Sequence, residues 1–233
     1  EDVGKSTAIQ AIIAAKTRGR ALPFLNHHAE CEPINALIWS TEGSHAYVDK
    51  PRLEAMGADM ARITFIKEPW ALDEPEGIRK LAYIMEQCRP AIVSIDPIFN
   101  CVGKVNINSD SESRQMLTPL QALGTQFNSG FSLTRHTNKS QGMGQVRNAG
   151  MGSVAWRAVP RVQLLFGRDP ENPELRAFCQ DKNNIGTTVK EAFGFRIDHD
   201  GFGWTGPSSL DADRMLSFKT PETTQQRSER EDA

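Results

Sequence analysis

The 233-residue sequence lacks a long apolar run, a closely spaced cysteine pair and a marked excess of charge of either sign. No apolar segment approaches the roughly 20 residues of a membrane-spanning helix, so we expect no membrane partner. The four cysteines form no C-x-x-C pair, which argues against a zinc site and favours reduced thiols in a cytoplasmic protein. The net charge of −2 excludes a globally basic surface, so any contact with nucleic acid must come from local loops.

The first residues, EDVGKST, match the second half of the phosphate-binding loop pattern G-x-x-x-x-G-K-[ST] through Gly4, Lys5, Ser6 and Thr7. The apolar spacing that follows predicts a helix, which such a loop must enter directly. In this pattern the lysine contacts the β- and γ-phosphates and the serine holds Mg²⁺, whereas the alternative is a chance GKS at a helix start. Because the pattern would begin before Glu1, we expect the preceding strand and the first half of the loop to be absent.

Apolar runs then alternate with helical patterns, and a series of strands without helices follows. Strands are predicted at 35–40, 62–66, 91–96, 130–136, 161–166, 176–182 and 191–198, with GFGWTG closing the series. This order predicts an α/β fold with a mostly parallel central sheet, flanking helices and a β-rich C-terminal portion. We expect one core over residues 1–206 and a polar, largely disordered tail over 207–233. Asp73 has capping-box spacing with Glu76 before a predicted helix.

Three polar residues follow predicted strands, at the sheet edge where α/β proteins bind ligands. Asp96 ends AIVSID and is predicted to hold magnesium from a neighbouring strand, the alternative being a cap of the turn before Pro97. Glu42 follows NALIWS and is either the base that deprotonates the attacking water or an exposed loop residue. His136 ends the fourth strand and is either a sensor of the γ-phosphate or a structural histidine.

Together these segments resemble the RecA-like ATPases of the RepA-type hexameric helicase family of plasmids and phages. The resemblance is carried by GKST, IWSTEGSHAYVDKPRLEAMGADMARITFI, AIVSIDP, and TRHTNKS followed by GSVAWRAVPRVQLLFGRDPENP. The segments FCQDKNN and AFGFRID…GFGW extend it over most of residues 1–210. It implies a RecA-like P-loop NTPase core in a homo-oligomeric ring, a hexamer that binds ATP and Mg²⁺ between its subunits.

The resemblance also implies a role for each candidate residue within one subunit. Lys5 and Ser6 would bind the phosphates and magnesium. Asp96 would be the aspartate on the magnesium side, Glu42 the catalytic carboxylate and His136 the sensor.

The resemblance implies that a neighbouring subunit completes the nucleotide site. An arginine would reach the γ-phosphate from that subunit, and Arg147 and Arg161 are the two candidates. Lys182, in the segment DKNN, is a further residue that would face a neighbour's nucleotide.

Two polar segments, residues 97–110 and 137–153, follow strands that end at the nucleotide site. In rings of this kind such loops face the central pore and bind single-stranded DNA, so Lys104 and Lys139 are the candidate DNA contacts. Phe99 is the single aromatic residue of the two segments. The alternative reading is a pair of mobile surface loops.

The sequence therefore predicts an ATP-driven DNA helicase subunit in plasmid or phage replication. Two alternatives stay open. One is a RecA-like regulatory or recombination ATPase that does not unwind DNA, and the other is an inactive truncated remnant.

Overall fold

The structure is a computed structural model and describes residues 3–25, 30–42, 45–136, 152–169, 171–172, 174–189 and 191–217. Its first sheet is parallel and has the order β2-β1-β3-β4. The strands are β1 (Ala36–Ser40), β2 (Ile63–Phe65), β3 (Ile92–Asp96) and β4 (Gly130–Leu133). The helices around it are α1 (Lys5–Thr17), α2 (Lys50–Ala55), α3 (Pro75–Cys88) and α4 (Asp110–Phe127). No helix in these described ranges is both long and apolar enough to cross a bilayer.

Helices cover both faces of this sheet. On one face, side chains of α3 and α4 pack against Leu37, Trp39 and Ile95. On the other face, α1 and α2 pack against Ala36 and Ile38. Strands buried on both faces are almost continuously apolar, which is why ALIWS and IVSID read as short apolar runs rather than as alternating patterns.

The second sheet is antiparallel and has the order β5-β6-β7-β8. It contains β5 (Val162–Arg168), β6 (Arg176–Asn183), β7 (Ala192–Asp198) and β8 (Gly201–Ser208), with the short helix α5 (Ala155–Ala158) before it and α6 (Ala212–Ser217) after it. An aromatic cluster on this sheet packs around Ala8 of α1. Helix α1 is therefore held by both sheets. The predicted α/β fold with a β-rich C-terminal portion is confirmed.

Residues 207–217 are packed with the second sheet, although the sequence pattern predicted that they belong to a polar tail. Strand β8 continues to Ser208, and Leu210 and Met215 are buried against β5 and β6. The sequence signal was missed because the apolar residues of this segment are few and widely spaced. Residues 218–233 lie outside the described residues.

The capping interpretation of Asp73 is wrong. The side chain of Glu74, the residue that precedes α3, makes no capping hydrogen bond. The Asp73 carboxylate instead accepts hydrogen bonds from the backbone N–H groups of Gly103, Lys104 and Val105, at 2.6–2.9 Å. Burial raises the pKa of Asp73, but these backbone donors outweigh it and hold the pKa below its ordinary value. Asp73 thus fixes part of the 97–110 segment to the fold.

Candidate functional site

The phosphate-binding segment enters α1 through a left-handed glycine. Gly4 has φ 85° and ψ 19°, and Lys5 is the first helical residue. A Cβ atom at Gly4 would lie 2.7 Å from Ile197 and 2.9 Å from Phe195, so the position requires glycine for space as well as for conformation. The first N–H groups of an α-helix lack intrahelical partners and carry the positive end of the helix dipole. This end of α1 can therefore bind an anion such as a phosphate.

Asp96 lies at the centre of the predicted constellation. Burial raises its pKa, with a smaller effect in the same direction from Glu42. A hydrogen bond with Ser6 and the charges of Lys5 and His136 oppose that rise. Four predicted site residues therefore lie close enough to interact with the Asp96 carboxylate: Lys5, Ser6, Glu42 and His136.

The donor set of Ser6 and Asp96 fits a magnesium ion. Mg²⁺ prefers oxygen ligands and usually takes one or two from the protein, keeping water and substrate phosphates for the rest. The Ser6 hydroxyl lies close enough to the Asp96 carboxylate to lower its pKa, so both can contact one small cation. Burial disfavours the ionised form of a carboxyl group, and a nearby cation favours it. A bound Mg²⁺ would therefore stabilise the ionised form of Asp96.

Glu42 is placed beside Asp96 by the sheet. Ser40 and Asp96 are register partners at the carboxyl ends of β1 and β3. The N–H of Thr41 then donates to the Asp96 carbonyl at 2.9 Å. The Glu42 side chain is 59% exposed, and its Oε1 lies 3.8 Å from Nε2 of His136, which is 39% exposed. A carboxylate and an imidazole thus meet at the open side of the Asp96 site.

A buried polar network links α1 to the segment that follows Glu42, and its residues were not predicted as site residues from the sequence. Asp49 Oδ1 accepts from Gln10 Nε2 of α1 at 2.7 Å, and Asp49 Oδ2 lies 3.0 Å from Nδ1 of His45. The side-chain amide oxygen of Gln10, Oε1, accepts in turn from the Arg52 guanidinium at 3.2 Å. His45 and Asp49 belong to one π-helical turn, His45–Asp49. The spacing of a histidine and an aspartate four residues apart, just after Glu42, was the available signal.

The two described candidates for a contact between subunits differ in how accessible they are. Arg161 is exposed, and it lines the same cavity as Lys5 and Arg135, a space of about 720 Å³ between α1, α4, β4 and β5. Lys182 donates to the carbonyl oxygens of Arg157, Ala158 and Pro160 within its own chain, at 2.7–2.8 Å. A contact of Lys182 with a neighbour's nucleotide would require these bonds to open. The prediction for Arg147 lies outside the described residues.

The described residues of the candidate DNA-binding segment already have partners within the protein. The Lys104 ammonium lies 3.0 Å from Glu74 Oε1, and this pairing raises the pKa of Lys104. Phe99 packs edge-on against Trp156, with 4.8 Å between the ring centroids, and belongs to the core of the first sheet. The aromatic ring of the 97–110 segment is thus engaged inside the protein. The prediction for Lys139 lies outside the described residues.

A comparison with protein-family models matches residues 1–142 to the AAA domain family. The match covers more than half of the 233 residues and includes the first sheet with Lys5, Ser6, Glu42, Asp96 and His136. The second sheet lies beyond its end. A comparison with curated proteins found no match.

Proposed function

The chain belongs to the AAA domain family of P-loop ATPases, and on that premise we propose that it is an ATP-hydrolysing motor subunit of a RepA-like DNA helicase in plasmid or phage replication. One observation carries the proposal. Ser6, Asp96, Glu42 and His136 meet at the carboxyl ends of β1, β3 and β4, in front of the helix that Lys5 begins. Ligands of parallel α/β sheets bind at this edge.

Hydrolysis in this site would divide among the residues by their chemistry. Lys5 and the first N–H groups of α1 bind the terminal phosphates, and Ser6 with Asp96 holds Mg²⁺. When bound, the magnesium ion neutralises charge on the phosphate oxygens. Glu42 accepts the proton of the attacking water, since it is the exposed carboxylate beside the magnesium ligands. His136 reports the state of the phosphates to the segment that follows β4.

The finer part of the proposal is a homo-oligomeric, hexameric ring whose subunits share each nucleotide. The exposed position of Arg161 supports a role of this arginine across a subunit contact, since its side chain is accessible to a neighbouring subunit. An arginine supplied by a neighbour can accelerate phosphoryl transfer by about 10³–10⁵-fold, and it makes hydrolysis depend on assembly. Arg147 remains the second candidate.

A second candidate function is an ATPase of the same class that does not unwind DNA. It is favoured by the state of the 97–110 segment, in which Phe99 packs on Trp156 and Lys104 pairs with Glu74. Single-strand binding in a pore relies on free cations and stacking aromatics. Under this alternative, single-stranded DNA would be bound elsewhere or would not be the partner.

The nucleotide site is tested by Glu42→Gln and Lys5→Ala, with Glu54→Gln as the control because Glu54 is an exposed glutamate of α2. Glu42→Gln should lower kcat by about 10²–10⁴-fold, the value of a general base, while Mg-ATP still binds. Lys5→Ala should weaken Mg-ATP binding, and Glu54→Gln should change neither quantity. Equal activity of Glu42→Gln and the wild type would refute the catalytic assignment.

The helicase and its alternative are separated by ATPase rate against protein concentration, with and without single-stranded DNA, and by strand displacement. A shared site predicts a rate per subunit that rises with concentration and falls in Arg161→Ala. Stimulation of the ATPase rate by DNA should weaken as the salt concentration rises, because binding to the DNA phosphates is electrostatic. ATPase activity that is indifferent to DNA, with no displacement, would favour the non-unwinding ATPase.

A further inference from the structure

We propose that the Gln10–Asp49–His45 network is a positioning device that sets Glu42 at its working distance from the phosphate helix α1. The inference rests on the proposed ATPase function and assigns a role to residues that take no direct part in it. Asp49 and Gln10 are positioning residues, since they act on the reaction through Glu42.

The network is buried and complete. Asp49 is 3% exposed and Gln10 is 5% exposed. Both Asp49 oxygens are engaged, and because an ionised carboxylate can only accept, Nδ1 of His45 is the donor in its contact. Arg52 donates to Gln10 rather than to Asp49. A buried carboxylate held mainly by hydrogen bonds is costly whenever one of them is lost, so this network resists partial opening.

Glu42 needs such support because its side chain is 59% exposed. Its Oε1 lies 3.8 Å from Nε2 of His136, which is beyond hydrogen-bond distance. On its N-terminal side, Thr41 is hydrogen-bonded to the end of β3. On its C-terminal side, two residues lead to His45, which the network and the ring of Phe65, at 5.3 Å between centroids, hold in place. Thr41 and His45, which lie on the two sides of Glu42 in the sequence, are therefore each held by the fold.

The network connects that anchor to the helix that binds phosphate. Gln10 lies on α1 five residues after Lys5, so the hydrogen bond to Asp49 links the segment carrying the base to the helix carrying the phosphate ligands. Asp49 ends the π-helical turn and is its buried residue, and single π-turns recur at functional sites. A general base works only within hydrogen-bond reach of its proton, so a shift of this link by even ~1 Å would lower the rate.

The test exchanges the two polar partners. Gln10→Glu places two carboxylates against each other and breaks the link. Adding Asp49→Asn restores it, because the asparagine amide donates to the carboxylate introduced on α1 while its oxygen still accepts from His45. Gln10→Glu should lower kcat by about 10–100-fold, with the Kd for Mg-ATP within about threefold of the wild type. The double variant should recover kcat to within about threefold of the wild type.

A second arm asks whether the effect passes through Glu42. In a Glu42→Gln background, Gln10→Glu should cause almost no further loss, because positioning an absent base has no value. Gln10→Met, which is neutral and of similar size, repeats the test if Gln10→Glu folds poorly. Glu54→Gln is the control for loss of a carboxylate from the same region. Thermal midpoints of all variants show that they are folded.

Three results would overturn the inference: an unchanged kcat in Gln10→Glu and Gln10→Met, a parallel loss of kcat and Mg-ATP affinity, or no recovery in the double variant. The same data separate this failure from failure of the proposed function. If the wild type turns over ATP and Glu42→Gln does not, the ATPase assignment stands whatever Gln10→Glu does. If Glu42→Gln retains full activity, the assignment fails and the positioning role fails with it.

Discussion

Replacing Gly4 by alanine should destabilise the fold and the nucleotide site together. The residue has a positive φ of 85°, and holding a non-glycine residue in this region costs on the order of 1–3 kcal/mol. The new methyl group would also lie 2.7 Å from Ile197 Cδ1 and 2.9 Å from Phe195 Cε2. Ile197 can move its terminal methyl, whereas Phe195 is fully buried. Overpacking of this kind costs about 1–3 kcal/mol, which brings the expected total to about 2–6 kcal/mol.

Gly201→Ala is the matched control, because it separates the two costs. Gly201 also has a positive φ, 104°, but nothing lies within 4 Å of a Cβ atom built there. Its substitution should therefore cost only the backbone part, about 1–3 kcal/mol. The contact part of the Gly4 cost is the difference between the two variants.

The measurement is the free energy of unfolding from urea denaturation of both variants and the wild type. A further loss of about 1–3 kcal/mol in Gly4→Ala relative to Gly201→Ala lowers the melting temperature by an additional ~2–12 °C in a chain of this size. Mg-ATP binding should weaken in Gly4→Ala alone, because the start of α1 must shift. Equal losses of stability in the two variants would refute the packing of the second sheet against Gly4.

Three more variants test other parts of the fold. Asp73→Ala removes the acceptor of three backbone N–H groups and should cost about 1–3 kcal/mol in the free energy of unfolding at neutral pH. Because the folded pKa of Asp73 lies below its ordinary value of 3.8, its contribution is present above that pH and is lost as the pH falls through the folded pKa. Met215→Ala should cost about 2–5 kcal/mol, as for other buried methionines, in denaturant unfolding. Lys182→Met should cost about 1–3 kcal/mol through its lost carbonyl contacts, with ATPase activity per folded subunit unchanged.

Each of these predictions has a clear contrary result. A difference between Asp73→Ala and the wild type that persists undiminished below the folded pKa would contradict the role of the Asp73 carboxylate charge. An unchanged free energy of unfolding in Met215→Ala would mean that α6 is not packed on the second sheet. Full stability with reduced ATPase activity in Lys182→Met would instead favour the predicted contact of this lysine with a neighbour's nucleotide.

The first sheet was predictable because its signals are local. ALIWS and IVSID are short apolar runs, and GKST is followed by helical spacing, so the ends of β1 and β3 and the start of α1 could be located from the sequence alone. The predicted end of the fourth strand at His136 was wrong, because β4 ends at Leu133 and His136 follows it by three residues. The parallel arrangement then brings the strand ends to one edge, which is why Glu42, Asp96 and His136 meet there. This step needs no knowledge of side-chain packing.

The rest depended on contacts between residues far apart in the chain. Asp73 has ideal capping spacing, yet it bonds to Gly103 and its neighbours, about 30 positions away, because that loop offers three aligned N–H groups. The hydrogen bond between Gln10 and Asp49 spans 39 positions. Periodicity carries no information about such pairs, since it reports which face of one element is buried and not what that face meets.

The second sheet has a consequence for the family to which the chain belongs. The match to that family ends at residue 142, yet Gly4 and Ala8 of the phosphate helix are packed against Phe178, Phe195 and Ile197 of β6 and β7. One side of α1 is therefore held by residues beyond the matched region. A helix whose first turn must keep its N–H groups aimed at phosphate oxygens requires support on both sides, because a small shift at that end weakens every contact at once. The antiparallel sheet thus supports the nucleotide site through α1, and substitutions of Phe178 or Phe195 should affect nucleotide binding although neither residue is assigned to that site.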